Sequence, residues 1–294
     1  MLHIQKIDSF DLPDLQPYRT MRRPLEHEQQ GIFVAEGEKV VRRLLRSHFN
    51  VVSALLSEKW LREFEPLLKA RSEEIRIYIA EKELLEQLIG FSMFQGALAL
   101  GRIPDPVSLD TILAGSPTPR LFVALDGLGN AENLGGLVRN CVAFDTQALI
   151  VGETSSSPFL RRAVRSSMGT IFKLPVARVS NLAHALRELR RLGIRCIAAH
   201  PRADHTSLPA VDFRADCCLV FGSEGYGISP EVLDACDQAV AIPMAQDVDS
   251  LNVVNAAAVF LYEVARQRGT PHRHVETDKQ IRLATDAGFR TLRT

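Results

Sequence analysis

The sequence lacks an excess of charge of either sign. Its 294 residues carry 35 Lys and Arg against 35 Asp and Glu, a formal net charge of zero. No overall field draws the chain to a polyanion, so any attraction to nucleic acid has to come from local clusters. Cysteine is sparse as well. Cys141, Cys196, Cys217, Cys218 and Cys236 are odd in number and form no Cys-x-x-Cys, and three of them sit in apolar runs. That pattern reads as buried free thiols in a reducing cytoplasm. The eight histidines show no metal spacing, and no metal site is expected. The opening MLHIQKIDSF has no signal-peptide pattern, and no apolar run is long enough to span a bilayer, so no membrane partner is expected. Internal repeats and low-complexity tracts are missing too. What remains is a globular balance, 46% hydrophobic and 24% charged, with length enough for two domains.

The first unit covers residues 1–103. Within it GIFVAEGEKVVRRLL starts as a strand at Ile32 and turns helical after Gly37, with Val40, Val41, Leu44 and Leu45 as the apolar stripe. Strands at VVSALLS, IRIYIA and ALALGRI alternate with helices near Trp60 to Ala70 and Lys82 to Leu88, which argues a small α/β domain. Prolines 104, 106, 117 and 119 crowd residues 104–119, which read as a linker. The second unit, 120–269, has strands at LFVALD, QALIVG, IFKLPV, IRCIAA and CCLVFG, with helices between them. Continuous rather than alternating apolarity implies a mainly parallel sheet covered on both faces, with ligands at the carboxyl ends of its strands. Residues 270–294 read as a polar tail.

Three stretches of the second unit carry chemistry. In GNAENLGGLVRNCVAFD, Asn133 can cap a helix whose first turn is stripped of side chains by Gly135 and Gly136. Arg139 follows within two turns, so it and Asn133 can face one ligand; the plain alternative is a capped helix with an arginine on its exposed side. FGSEGYGIS follows a buried strand. Gly222, Gly225 and Gly227 allow a tight loop with Glu224 in its middle, and Ser229-Pro230 opens a helix. No Lys-Ser/Thr follows, so it is not a P-loop, and the spacing of a dinucleotide fingerprint is absent. The third stretch is IPMAQDVDSLNVVNAAAVFLYEVARQR, from Ile242 to Arg268. Here Ser250 has the chemistry of an N-cap, Arg266 and Arg268 suit the negative helix end, and Gly269 stops it.

Taken together, NLGGLVR, GSEGYGIS and IPM…DSLNV resemble the three motifs of the SpoU-type (TrmH-like) RNA 2′-O-ribose methyltransferases of the SPOUT class. The resemblance implies an α/β trefoil-knot catalytic domain. FVAEGEKVV and QGALAL look like the smaller α/β, ribosomal-protein-like substrate-binding domain often fused ahead of it. It further implies S-adenosylmethionine as cofactor, held around Gly222, Ser223, Glu224, Ile242, Met244 and Leu251, and a homodimer with sites near its interface. Arg139 would act on the target ribose and its phosphate, with Asn133, Glu224, Ser250 and Asn252 as the other catalytic positions. Phosphates of the RNA would meet the local clusters Arg19, Arg22, Arg23, Arg42 and Arg43, and Arg161, Arg162 and Arg165; the bland reading of these is solvated surface. Ribosomal RNA is the favoured substrate over transfer RNA. Three departures stand out: Gln246 and Asp247 occupy a loop where the family usually has glycine, Val254 stands where the family often has serine, and Ala131-Glu132 replaces a common Asp-Pro. A non-catalytic RNA-binding or ribosome-assembly protein with a degenerate cofactor loop is the competing reading.

Overall fold

The computed structural model describes residues 2–89, 96–201, 206–246 and 248–269. The expected tail 270–294, Asp247 and Gln95 of QGALAL lie outside the described residues. In chain order the first domain holds β1 (Leu2–Lys6), α1 (Gln16–Arg19), α2 (Pro24–Gln29), β2 (Ile32–Glu36), α3 (Glu38–Leu45), β3 (Val51–Leu56), α4 (Glu58–Lys69), β4 (Ile75–Ile79), α5 (Lys82–Ile89) and β5 (Ala97–Arg102). Its sheet has the order β1-β4-β3-β5-β2. β1 pairs parallel with β4 and β4 with β3, whereas β5 runs antiparallel to both β3 and β2. The edge strand β1 has no counterpart in the sequence reading, because four of its five residues are exposed and it carries no apolar run.

The second domain holds α6 (Leu109–Gly115), β6 (Leu121–Asp126), α7 (Ala131–Ala143), β7 (Ala148–Val151), α8 (Arg161–Ser166), β8 (Val176–Arg178), α9 (Leu182–Arg191), β9 (Arg195–Ala199), β10 (Cys217–Gly222), α10 (Pro230–Asp234), β11 (Gln238–Val240) and α11 (Val253–Arg268). The six strands form one parallel sheet, β11-β9-β10-β6-β7-β8. Its order reverses at β6 and β10, whose last residues Asp126 and Gly222 are register partners. The expected parallel sheet is therefore present, and the crevice at its switch point lies beside Gly222. Two local expectations are corrected. The linker contains α6, capped by the Ser108 hydroxyl, and its Ile112 is buried with Phe122 in the second domain's core. IFKLPV is not a strand: residues Thr170–Lys173 form a 3-10 turn, which aims Phe172 inward.

α11 runs the length of this sheet. Its first turn is at the carboxyl end of β10, and its last turn is clasped at the opposite end. There Gln267 bonds the backbone of Val211 and Phe213, and Arg268 donates to the carbonyls of Pro119, Arg120, Phe213 and Ala215. Gly269 closes the helix in the left-handed conformation, as its position predicts. All five cysteines are free and buried, and burial pushes the Cys141 thiol up to about 12 and Cys217 to about 11. Among the described residues no helix is long and apolar enough to cross a membrane.

The two domains share one core. Phe33 and Phe49 of the first pack on Phe159 and Phe172 of the second, with ring centroids 5.3–5.9 Å apart. Above these rings Glu36, 6% exposed, accepts from Arg161 at 2.5 Å and Arg165 at 3.4 Å. Arg43 donates across the same seam to the Met168 carbonyl. Glu36→Ala leaves the half-buried Arg161 facing Arg165 without their carboxylate. The expected loss is about 3 kcal/mol, the size seen when one partner of a buried pair is removed. A lowered urea midpoint checks it, since urea does not screen charge; an unchanged midpoint would mean that the seam's charges are solvated.

Candidate active site

A cavity of about 600 Å³ opens where β10 ends and α11 begins. Its walls bring together residues from distant parts of the chain: Gly222, Ser223 and Glu224 from the glycine loop, Ile242 and Met244 after β11, and Ser250, Leu251 and Asn252 before α11. Phe221, Val240 and Phe260 add a buried apolar floor. A flat apolar base edge and a polar, charged tail would both find matching surface in such a site. Gln246 is exposed and is not part of the wall. His200, Asp249 and Tyr226 also line the cavity; Tyr226 and Asp249 lie within GSEGYGIS and DSLNV, whereas His200 lies outside the three motif stretches. Tyr226 stands at the rim with 98% of its surface exposed.

The shape of the glycine loop follows from Gly222. Ser223 and Gly227 exchange both backbone hydrogen bonds, at 2.9 and 3.0 Å, and the Ser223 hydroxyl accepts from the Tyr226 amide. This tight closure places the Gly227 backbone where a Cβ on residue 222 would stand, at 2.2 Å. Gly227 itself has φ +72°, the left-handed region. Beyond the loop the Ser229 amide donates to Asp126, tying the loop's exit to the end of β6.

Three of the five expected catalytic residues form one directed chain of hydrogen bonds. The Val254 amide donates to the Asn252 side-chain oxygen at 2.9 Å; the Asn252 amide donates to Asn133 at 3.2 Å; the Asn133 amide donates to Glu224 at 2.8 Å. A backbone N–H can only donate and a carboxylate can only accept, so both ends fix which way each asparagine faces. This arrangement corrects the expected caps. Asn130, not Asn133, caps α7 by accepting from the amides of Glu132 and Asn133. Asn252, not Ser250, caps α11. Ser250 is exposed on the cavity wall and makes no cap bond.

α7 can reach this site because its glycines let neighbours close in. A Cβ on Gly135 would lie 2.3 Å from the Ala163 carbonyl of α8, and one on Gly136 would lie 3.0 Å from Val254 of α11. Asn140 locks the second contact by donating to the Val254 carbonyl. Arg139 sits one turn beyond these glycines, exposed, with no hydrogen bond or ion pair among the described residues. It does not touch the Asn133 chain.

The remaining arginines separate into internal and open ones. Arg42 is braced by Glu38 and Glu63 and lies over the Phe64 ring, Arg43 reaches Met168, and Arg161 and Arg165 hold Glu36. Arg23 pairs with Glu26 on the surface. Arg19 and Arg162 are exposed with no partner among the described residues, and Arg22 faces the seam between the domains.

Sequence and structure comparisons converge on this domain. The SpoU rRNA methylase family matches residues 120–262. An uncharacterised tRNA/rRNA methyltransferase of Mycobacterium tuberculosis is 33% identical over 90% of this chain and 93% of its own length. A second one, from Mycobacterium avium, is 34% identical over 84% of this chain and 81% of its own. Among solved structures, the SpoU methyltransferase AviRb of Streptomyces viridochromogenes, in complex with AdoMet, superposes with a TM-score of 0.76 at 26% identity, covering 88% of this chain and 99% of AviRb. An AdoMet-bound rRNA methyltransferase of Sinorhizobium meliloti gives a TM-score of 0.77 at 22% identity, over 90% and 98% of the two chains, which speaks for the fold. The second domain thus has the SPOUT α/β trefoil-knot architecture, a threaded exception to the usual rule of unknotted chains. With its motifs gathered at the strand ends and relatives aligned over nearly its whole length, the chain belongs to the SpoU methylase family.

Proposed function

We propose that the chain is an S-adenosylmethionine-dependent RNA methyltransferase that modifies a ribose 2′-hydroxyl, with ribosomal RNA favoured over transfer RNA. The observation that carries this reading is the Asn252–Asn133–Glu224 chain at the mouth of the cavity, which joins all three motifs. S-adenosylmethionine supplies an electrophilic methyl group on a sulfonium, which needs an in-line nucleophile. Ile242, Met244 and Leu251 would hold its apolar part, and the backbone of Gly222 and Ser223 would position its polar part. The Asn133 bond fixes one oxygen of Glu224 and leaves the other available to orient a ligand hydroxyl. Arg139, without a hydrogen bond or ion pair among the described residues, would clamp the ribose phosphate and stabilise the developing alkoxide. A phosphate oxygen or water can take the proton.

A homodimer fits the same picture. Val259 and Tyr262 on the outer face of α11 are 39% and 49% exposed, next to Phe144 at the end of α7. A second copy on that face would bring its own surface close to Arg139.

Two measurements on the full chain test the reading. Calorimetry should show one S-adenosylmethionine bound per chain. RNA labelled by the protein should resist alkaline cleavage at the modified position, because strand scission uses the free 2′-hydroxyl. Methyl groups found on bases would move the chemistry away from ribose. No heat at millimolar cofactor would favour the binding-protein alternative.

A further inference from the structure

A second cavity, of about 700 Å³, lies between α2 of the first domain and the first turns of α7 and α8. Four arginines line it, Arg22, Arg161, Arg162 and Arg165, against two carboxylates, Glu28 and Glu132. Glu28 is engaged by Arg178 at 2.7 Å, and Glu132 sits in the first turn of α7. Behind the wall, Glu36 is shared by two guanidiniums. Burial holds Arg161 below its ordinary value; Glu36 opposes this, while Arg165 and Arg22 add to it. His27 on the facing wall is also held low, chiefly by burial, and so adds no charge at neutral pH. Like charges gathered in a half-buried crevice are unfavourable until an anion completes the set.

We propose that this crevice is a subsite for the RNA backbone, taking the phosphate next to the ribose presented at the cofactor cavity. The inference rests on the RNA-methyltransferase reading above and adds where the neighbouring nucleotide goes. α7 connects the two places. Asn130, Ala131 and Glu132 line the crevice, and the following residue, Asn133, donates to Glu224 on the rim of the other cavity. The two cavities therefore flank a single helical turn, and a strand crossing that turn meets both. Both domains contribute to the walls, so the first domain takes part in holding the segment being modified. Arg162 is the arm best placed for a phosphate, exposed and without a partner among the described residues. Arg165 reaches the crevice from a loose 3.4 Å contact.

The test uses the full chain and two variants, Arg162→Glu and Arg165→Gln, which leave the Arg161–Glu36 pair in place. The probe is a fluorescein-labelled single-stranded RNA of about 20 nucleotides, followed by anisotropy from about 50 to 200 mM salt. Each lost phosphate contact should make the slope of log K against log salt shallower by about 0.7. The double variant should bind about tenfold more weakly at the low-salt end, where that contact counts most. Cofactor calorimetry on the same variants should be unchanged. An unchanged slope in both variants overturns the subsite, and so does a wild-type chain that leaves the RNA unbound at low salt. Failure of the wild type to bind S-adenosylmethionine would instead overturn the parent reading, because the subsite is judged on the RNA slope alone.

Discussion

Arg139→Ala should lower methyl transfer by about 10²- to 10³-fold, the loss typical of removing one preorganised charge-stabilising donor, and should leave S-adenosylmethionine affinity as it is. The separation follows from position. Arg139 lies on α7, one turn past the glycines that seat the helix against α8 and α11, and is not part of the cavity wall. Among the described residues it makes no hydrogen bond or ion pair, so its removal leaves none of them unsatisfied and should not disturb folding. A guanidinium donates and does not accept, so its contribution is to hold a phosphate and meet charge as it develops. Arg139→Lys keeps the charge but loses the planar fork, and should fall between wild type and alanine. Single-turnover transfer at saturating RNA, with cofactor calorimetry alongside, separates these effects. Unchanged turnover in the alanine variant would remove Arg139 from the chemistry altogether.

Gly222→Ala should do the opposite and weaken the cofactor. An added methyl would stand 2.2–2.3 Å from three backbone atoms of Gly227 and Ile228, none of which is a flexible side-chain end. The Ser223–Gly227 closure would have to open, and with it the wall that Ser223, Glu224 and Tyr226 form. Strain of about 1–3 kcal/mol is the usual cost of overpacking, which, if it falls on the bound form, corresponds to a cofactor affinity lowered by about 5- to 150-fold. Gly225→Ala is the internal control, because nothing lies within 4 Å of its added Cβ and its φ is not in the left-handed region. Equal affinity in the two variants would show that the loop's closure does not shape the pocket.

Where burial decided the outcome, the sequence was readable. LFVALD and CCLVFG are strands at the positions expected, because a run of apolar residues between glycine or charge has little else to become. The parallel sheet followed from the same runs. The caps were harder. Asn130 and Asn133 are both competent, as are Ser250 and Asn252, and one-dimensional chemistry cannot choose between neighbours three or two residues apart. Three-dimensional context chose, and it left Asn133 free to reach Glu224, 91 residues away. The arginines show the same limit in reverse. Arg161 and Glu36 are 125 residues apart, so nothing near either one announces the pair. The α6 helix was hidden by its proline-rich flanks, and the turn at Thr170–Lys173 by a composition that suits a strand equally well.

The four phenylalanines at the seam fix how the two halves stand relative to each other. Rings from both halves interlock at 5.3–5.9 Å, and the tip of the Phe33 ring stands where a Cβ on Gly101 would be, 2.3 Å from it. A hinge at this place would have to expose aromatic surface to water each time it moved. The two halves therefore act as the fixed jaws of a caliper. Under the proposed function, the span between a landmark held by the first half and the atom modified by the second would be set when the chain folds, which would make the choice of nucleotide a matter of distance as much as of local fit.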